Sequence, residues 1–325
     1  MASVETTTGG GYVFCGTDAQ ATGATNMSLM KTDQSGTIQW SKTYGSGNLV
    51  ETGKKVIRTL EGGYLAIGSA TSTYVYPFVV KTNADGNVIW ANYYQSLSSV
   101  NPTQSINDVI PMADSGFVFA GSSANNYSFL MRVDKNGNIV WSNCHLTGTT
   151  ILNRIIPITG GEFLATGSRS NVFYVARLSA TGNVIAARTY TTMGTTGWDI
   201  FPTSDGNFVF CGATASATTL MKTDLAGNVY WAKSYNTTLP WYPSVRELTS
   251  GSFIVSMYAN SYGPMIMTVD NIGNTPAVRY FGSGSNNYAD RMKATSDGAF
   301  VNVNGTQFMK FASTGNFTCT FNVVA

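Results

Sequence analysis

The sequence predicts an all-β protein: a seven-bladed β-propeller with four antiparallel strands in each blade, folded as a single domain over residues 1–325. Two independent short motifs carry this prediction, because each recurs seven times in one register. The third observation is that no sustained 3.6-residue hydrophobic period indicates a helix. Tandem units of about 40–50 residues with four strands each are typical of propellers. The expected blades are approximately 1–50, 51–102, 103–149, 150–194, 195–240, 241–286 and 287–325.

The first motif is a glycine turn followed by tryptophan, as in KTDQSGTIQW (Lys31–Trp40) and KTDLAGNVYW (Lys222–Trp231). Its glycine recurs at intervals of 42 to 51 residues, at Gly36, Gly86, Gly137, Gly182, Gly227, Gly273 and Gly315. An aspartate often lies three residues earlier and is expected to accept hydrogen bonds from the backbone of the turn. The glycine is expected to adopt a positive φ in a bulged hairpin between the third and fourth strands.

The second motif is a glycine-led aromatic run, such as GGYVFCG, GGYLAIG and SGFVFAG, which begins the second strand of each unit. Its aromatic residue falls at Tyr12, Tyr64, Phe117, Phe163, Phe208, Phe253 and Phe300. In the third unit the four strands are predicted within DVIPMADSG, FVFAGSS, FLMRVDKNG and NIVWSNCH. Near-continuous apolar runs predict strands that are covered on both faces, as radial stacking of sheets would provide.

The combined pattern DGGY…G…KTDxxGNxxWxKTYG resembles a bacterial and archaeal propeller repeat of secreted and surface proteins. In outline it is similar to SBBP-type, Kelch-like and quinoprotein-like propellers. The resemblance covers nearly the whole chain, and three units depart from it because Ala186, Ala277 and Cys319 replace the tryptophan. It implies the propeller fold and an extracellular or surface setting, and it implies no particular activity.

Composition narrows the classes of function. Charged residues make up 11% of the chain and the net charge is +2. This charge is too small to indicate a basic surface that binds nucleic acid. No apolar stretch is long enough for a membrane helix, so membrane insertion is not expected. The first residues, MASVETTTGGG, contain no apolar segment, so we expect no signal peptide in the given chain. The surface is expected to be hydrated mainly through hydroxyl and amide groups instead of charged groups. This composition favours an extracellular, cell-surface or virion location.

Few residues suggest metal, cofactor or nucleophile chemistry. His145 is the only histidine and occupies a position that is tyrosine in four other units, so we interpret it as a repeat variant. The four cysteines form no CxxC and are predicted to be free thiols: Cys15, Cys144, Cys211 and Cys319. No cofactor and no metal ion is expected. A basic position on the third strand is interpreted as a structural cation: Lys31, Lys81, Arg132, Arg177, Lys222 and Lys310.

The candidate ligand-binding residues lie in or beside the first strand of each unit, where a propeller has the mouth of its central channel. They differ between units, and a binding site requires such asymmetry: Lys55, Asp108, Arg154, Trp198, Asp199, Trp241, Tyr242, Tyr288, Asp290 and Arg291. Aromatic rings beside carboxylates and amides can stack on a sugar and bind its hydroxyls. The alternative interpretation is ordinary loop packing with charge pairing across the mouth.

Three functional hypotheses remain open at this point. The first is a non-catalytic binding or assembly module that recognises a glycan or a protein partner. The second is a carbohydrate-active enzyme, a glycoside hydrolase or lyase, in which carboxylates such as Asp199 and Asp290 act as a pair. The third is a purely structural element of a larger assembly.

Overall fold

The structure is a computed structural model in which the following residues are described: 1–20, 24–94, 104–123, 127–145, 149–237, 240–259, 263–274, 276–280, 291–304, 307–312 and 317–322. These residues form an all-β protein with four-stranded antiparallel sheets, as the sequence predicted. The described helical segments are two single 3-10 turns, Thr159–Gly161 and Thr191–Met193.

Strands β1 to β8 form one eight-stranded sheet, in which two sequential four-strand groups are joined by a single parallel pairing of Thr25 with Val50. Its strands are β1 Ser3–Thr6, β2 Tyr12–Ala19, β3 Thr25–Thr32, β4 Ile38–Tyr44, β5 Val50–Arg58, β6 Tyr64–Thr71, β7 Val75–Thr82 and β8 Val88–Tyr93.

Five further sheets contain four strands each, and in every one the strands follow chain order. The first of these is β9 Gln104–Pro111, β10 Phe117–Ser123, β11 Ser128–Val133 and β12 Ile139–His145. The second is β13 Thr150–Pro157, β14 Phe163–Arg169, β15 Val172–Leu178 and β16 Val184–Tyr190. The third is β17 Thr196–Pro202, β18 Phe208–Ala213, β19 Ala217–Thr223 and β20 Val229–Asn236. The fourth is β21 Pro240–Glu247, β22 Phe253–Ala259, β23 Gly263–Val269 and β24 Ala277–Tyr280. The fifth is β25 Lys293–Ala294, β26 Phe300–Asn304, β27 Gln307–Phe311 and β28 Phe317–Asn322.

The chain divides into two compact units, which are described separately below. The first unit consists of Met1–Phe163 with Ser179–Asn183, and the second of Leu164–Leu178 with Val184–Val324. Within each unit the core lies between consecutive sheets. In the first, Leu65 and Val79 of one sheet pack with Phe119 and Phe129 of the next. The second and third strands of each group are therefore buried on both faces, whereas the fourth strand is largely exposed.

The recurring glycine turn has the predicted geometry wherever it is described. The φ angle is positive at Gly36, Gly86, Gly137, Gly182, Gly227 and Gly273. One carboxylate oxygen of Asp33 accepts hydrogen bonds from the backbone of Ser35 and Thr37, at 2.9 Å each. Asp134 and Asp270 do the same in their turns, and Asp224 accepts one such bond from Asn228.

Contacts between consecutive repeats explain why the ten-residue motif recurs. The tryptophan ring of one repeat lies against the turn glycine of the next, in the pairs Trp40–Gly86, Trp90–Gly137, Trp141–Gly182 and Trp231–Gly273. Four residues after the tryptophan position, which is Ala186 in one of these repeats, a tyrosine hydroxyl donates to the carbonyl of the next turn glycine at 2.6 to 3.1 Å, in the pairs Tyr44–Gly86, Tyr94–Gly137, Tyr190–Gly227 and Tyr235–Gly273. The motif therefore supplies both the turn and the side chains that hold the following turn.

Four of the six residues predicted at the basic position of the third strand pair with a nearby carboxylate, in agreement with the structural interpretation. These pairs are Lys81–Glu61 at 3.0 Å, Arg132–Asp114 at 2.6 Å, Lys222–Asp205 at 2.7 Å and Lys310–Asp297 at 2.7 Å. The hydrogen bonds from Lys310 and Thr295 lower the pKa of Asp297 from 3.8 to about 2.

Because this folded-state pKa lies below the ordinary value, ionised Asp297 stabilises the fold above about pH 4, and the contribution is lost as pH falls toward 2. We expect the melting temperature of Asp297→Asn to fall less steeply between pH 4 and pH 2 than that of the parent. Thermal denaturation monitored by circular dichroism measures this slope. Lys310→Met should reduce the slope as well, and unchanged slopes in both variants would show that the pair contributes nothing.

Candidate functional site

A β-bulge in the first strand of several repeats determines which side chains reach the candidate site. In β5 the register shifts between Gly53 and Lys55, so Lys54 is the extra residue of the bulge. The same shift occurs around Asn107 in β9 and around Trp198 in β17. In β21, Tyr242 and Pro243 together oppose a single residue of β22. Bulges redirect side chains and are frequent beside functional sites.

The residue after each of these bulges is buried, and it either belongs to an ion-pair network or, in the case of Ser244, donates a hydrogen bond to one. In the first unit, Asp108 is fully buried and forms ion pairs with Lys55 and, at 3.1 Å, with Arg154. The same carboxylate accepts a hydrogen bond from the backbone of Ile155 at 2.9 Å. These three charged residues occupy the same position in consecutive repeats, so the network connects neighbouring first strands.

A second network in the second unit is centred on Asp199, which is also fully buried. Its carboxylate accepts hydrogen bonds from Ser244 at 2.8 Å and from Arg246 at 2.6 Å, and Arg291 lies 3.7 Å away. Arg246 also donates to the carbonyl of Met292 at 2.6 Å. With these donors around it, the Asp199 carboxylate is positioned as a structural anion and is shielded from solvent.

Arg246 is not among the candidates predicted from the sequence. The residue after the buried strand position is apolar in four repeats, at Ile57, Ile110, Ile156 and Phe201, and charged in three, at Glu5, Arg246 and Lys293, so its charge alone does not mark it. The guanidinium lies 5.3 Å from the ring centroid of Phe201, and its side chain is 9% exposed. A guanidinium buried to this extent requires an anion, and Asp199 provides it.

Three candidate aromatic residues form a continuous surface in the second unit. The ring centroids of Trp198 and Tyr242 are 4.4 Å apart, and those of Tyr242 and Trp241 are 6.3 Å apart. Trp241 is 47% exposed, and the other two rings are partly exposed. Tyr242 has a φ of 51°, which is unusual for an aromatic residue and is imposed by the bulge. We call Trp198, Trp241 and Tyr242 the aromatic surface.

The bulge position that Trp198 occupies in β17 is polar in the first unit. Lys54 donates to the side chain of Asn107 at 2.5 Å, and Asn107 donates to the carbonyl of Leu152 at 2.9 Å. Bulge residues of consecutive repeats thus contact one another in both units, through hydrogen bonds in the first and through ring contacts in the second. This difference is the asymmetry that a ligand-specific surface requires.

The structure brings Lys55, Asp108 and Arg154 together in the first unit, and Trp198, Asp199, Trp241, Tyr242 and Arg291 close to one another in the second. Two further candidates, Tyr288 and Asp290, lie outside the described residues.

Among the described residues there is no group of three or more histidine, cysteine or acidic side chains that could hold a metal ion. Cys15, Cys144 and Cys211 are free thiols, and burial raises the pKa of Cys144 and Cys211. None of the described segments is an apolar helix long enough to cross a bilayer.

No protein-family model and no curated protein matches this sequence. The fold is similar to Saccharomyces cerevisiae Sqt1, with a TM-score of 0.65 and 9% identity over 98% of this chain and 84% of Sqt1. It is similar to the Neurospora crassa Pan2 WD40 domain, with a TM-score of 0.61 and 12% identity over 93% of this chain and 85% of that domain. The extracellular domain of the hybrid two-component system BT3049 from B. thetaiotaomicron gives 0.57 and 13% identity, over 95% of this chain and 40% of that one.

The fold is propeller-like. At these identities the similarities concern the fold alone, because one fold supports many unrelated functions.

Proposed function

We propose that this protein is a non-catalytic binding module that recognises a glycan through the aromatic surface of its second unit. The observation that carries the proposal is the contact of two bulge residues, Trp198 and Tyr242, and of Tyr242 with the exposed Trp241, where the bulge position of Trp198 is polar in the first unit. Rings held in this way can stack on the C–H faces of a sugar, and they bind with little loss of conformational entropy.

The buried charges beneath the aromatic surface support a positioning role. Asp199 lies next to Trp198 in the chain, and its partner Ser244 lies two residues after Tyr242. The ion pairs with Arg246 and Arg291 therefore fix the backbone on both sides of the aromatic contact. A preorganised surface needs less reorganisation when a ligand binds.

We also propose that the four-stranded groups are the seven blades of one closed propeller, and that the module acts outside the cytoplasm, at a cell or virion surface. The repeat count supports the first proposal, and a crystal structure with six or eight blades would contradict it. The low charge content and the similarity to an extracellular domain support the second.

A glycan array probed with the full-length chain tests the binding proposal. We expect at least one glycan to be retained, and we expect Trp241→Ala to weaken binding to it by tenfold or more, about 1.4 kcal/mol, as measured by calorimetry. Tyr230→Ala is the matched control, because Tyr230 is an aromatic residue of the same unit that is 60% exposed on the outer strand β20.

Two results would contradict the proposal. One is a folded chain that retains no glycan on the array. The other is equal glycan affinity for Trp241→Ala and the parent. If the chain instead binds a protein partner, and Trp241→Ala leaves that binding unchanged, recognition takes place on another surface.

A further inference from the structure

The fourth strand β16 lacks the tryptophan that four other repeats carry at the same position. Ala186 takes its place, because it pairs with Arg177 of β15 as Trp231 pairs with Lys222 of β19. In the four repeats with tryptophan, the indole lies against the turn glycine of the next repeat. In two of them it also contacts the aromatic residue that begins the next repeat's second strand, with ring centroids 6.1 Å apart for Trp40–Tyr64 and 5.8 Å apart for Trp231–Phe253.

The aromatic residue that follows Ala186 in the next repeat is less completely covered than its equivalents. Where the preceding repeat supplies a tryptophan, the exposed fraction of this aromatic residue is 0 to 3%, at Tyr64, Phe117, Phe163 and Phe253. Where the preceding repeat supplies Ala186 or Ala277, the exposed fraction is 7%, at Phe208 and Phe300. The missing indole therefore leaves the edge of Phe208 accessible. We call the space between Ala186, Phe208 and the turn glycine Gly227 the indole position.

Arg188 lies beside the indole position and does not replace the indole. A Cβ built on Gly227 would be 3.0 Å from Cδ of Arg188, and the guanidinium donates to the Gly227 carbonyl at 3.4 Å. In a repeat with tryptophan the residue at this position lies next to the indole, since both Lys233 and Trp231 approach Gly273. The Arg188 side chain is exposed, so it can rotate aside when a ring enters from solvent.

The backbone of β16 has an open edge on the side away from β15. It is the last strand of its sheet, and among the described residues it pairs with β15 alone. Its residues from Val184 to Thr189 are all exposed, and the first four of them are apolar: Val184, Ile185, Ala186 and Ala187. An exposed apolar edge of this kind is a template for pairing with another chain, and Arg188 is the one charged residue in it.

We propose that β16 is the docking site for an extended segment of a protein partner, which adds a strand to the open edge and places a tryptophan ring in the indole position. On an added antiparallel strand, the residue opposite Ala186 projects to the same side as the Ala186 side chain. Its ring then lies against Gly227 and Phe208, as the chain's own Trp231 lies against the equivalent residues of the next repeat. Main-chain hydrogen bonds supply affinity, and the ring supplies specificity.

The charge of Arg188 determines which partner segment fits. Arg188 forms no ion pair with a described residue, and the carboxylate of Asp224 in the neighbouring turn accepts hydrogen bonds from Asn228. On an antiparallel strand, the residue opposite Arg188 comes two positions before the residue opposite Ala186. The segment that fits therefore has an acidic residue two positions before its tryptophan, with β-branched residues beside them because these favour an extended strand.

The experiment measures binding of a capped peptide, Thr-Val-Glu-Val-Trp-Val-Thr, to the full-length chain by calorimetry. We expect saturable binding that weakens at least tenfold when the peptide's tryptophan is replaced by alanine. Ala186→Trp restores the residue of the other repeats and fills the indole position, so the number of peptides bound per chain should fall by one and the melting temperature should rise. Ala232→Trp is the matched control, because Ala232 is an exposed alanine of β20, a strand that already carries its own tryptophan.

Several outcomes would overturn the proposal. If the peptide does not bind, or if Ala186→Trp binds as many peptides as the parent, no segment of this kind docks at β16. If indole alone binds as tightly as the peptide, the site takes a small aromatic molecule and no strand is added. Should Ala186→Trp fail to fold, Arg188→Glu still decides. It should weaken binding of the glutamate peptide at least tenfold and favour the same peptide with lysine in place of glutamate, and equal affinities for the two peptides would contradict the proposal.

Discussion

Replacement of Asp199 by alanine is expected to lower the free energy of unfolding by about 3–5 kcal/mol, the cost of removing one partner of a buried ion pair. The Asp199 carboxylate is fully buried and is 2.6 Å from Arg246, whose side chain is only 9% exposed. The substitution leaves the guanidinium of Arg246 without its anion in a site that water does not reach. Urea denaturation monitored by tryptophan fluorescence measures the change.

The control for this prediction is Asp205→Ala, which removes a carboxylate of the same unit that is 49% exposed and pairs with Lys222 at 2.7 Å. Ion pairs in which one partner reaches solvent contribute about 0–1 kcal/mol, so this variant should lose no more than about 1 kcal/mol. Equal losses in the two variants would contradict the argument from burial. A loss below about 1 kcal/mol for Asp199→Ala would show that Arg246 finds another partner or reaches solvent.

Features that depend on residues close in the chain could be predicted from the sequence. The glycine turns follow from a local motif, and the positive φ at Gly36 and the backbone bonds to Asp33 are as expected. The pairing of Lys222 with a turn carboxylate follows from its place in the repeat. Repetition helped further, because each motif was seen several times and one atypical repeat did not obscure the pattern.

Features that depend on contacts between repeats could not be predicted. The bulge at Trp198 adds one residue to β17 and changes which side chain points outward, and no residue type in the sequence marks it. The partner of Asp199 was not identifiable either, because Arg246 lies 47 residues away and the choice depends on how neighbouring first strands align.

Gly68→Ala is the second substitution for which we expect a large effect, a loss of about 3 kcal/mol or more in the free energy of unfolding, at the upper end for overpacking. A Cβ at Gly68 would overlap the carbonyl oxygen of Thr52, which belongs to the strand carrying the bulge at Lys54. The atom that must move is a backbone atom, so rotation of a side chain cannot relieve the clash. Chemical denaturation of the variant gives the magnitude.

Gly9→Ala makes the same chemical change where it should be harmless, because a Cβ at Gly9 meets no atom within 4 Å and the φ angle there is not in the left-handed region. It should leave stability unchanged or raise it by a few tenths of a kcal/mol, since alanine reduces the entropy of the unfolded chain.

The equivalent glycines of two other repeats show the same close approach of the first strand. A Cβ at Gly121 would overlap the Ser105 carbonyl, and one at Gly212 would lie 2.7 Å from the Thr196 carbonyl. In these repeats the bulged first strand brings its backbone so close to the second strand that only glycine fits there, whereas Met257 lies opposite the bulge of β21. A neutral Gly68→Ala would mean that β5 can shift away from β6, and the bulge of β5 would then be adjustable.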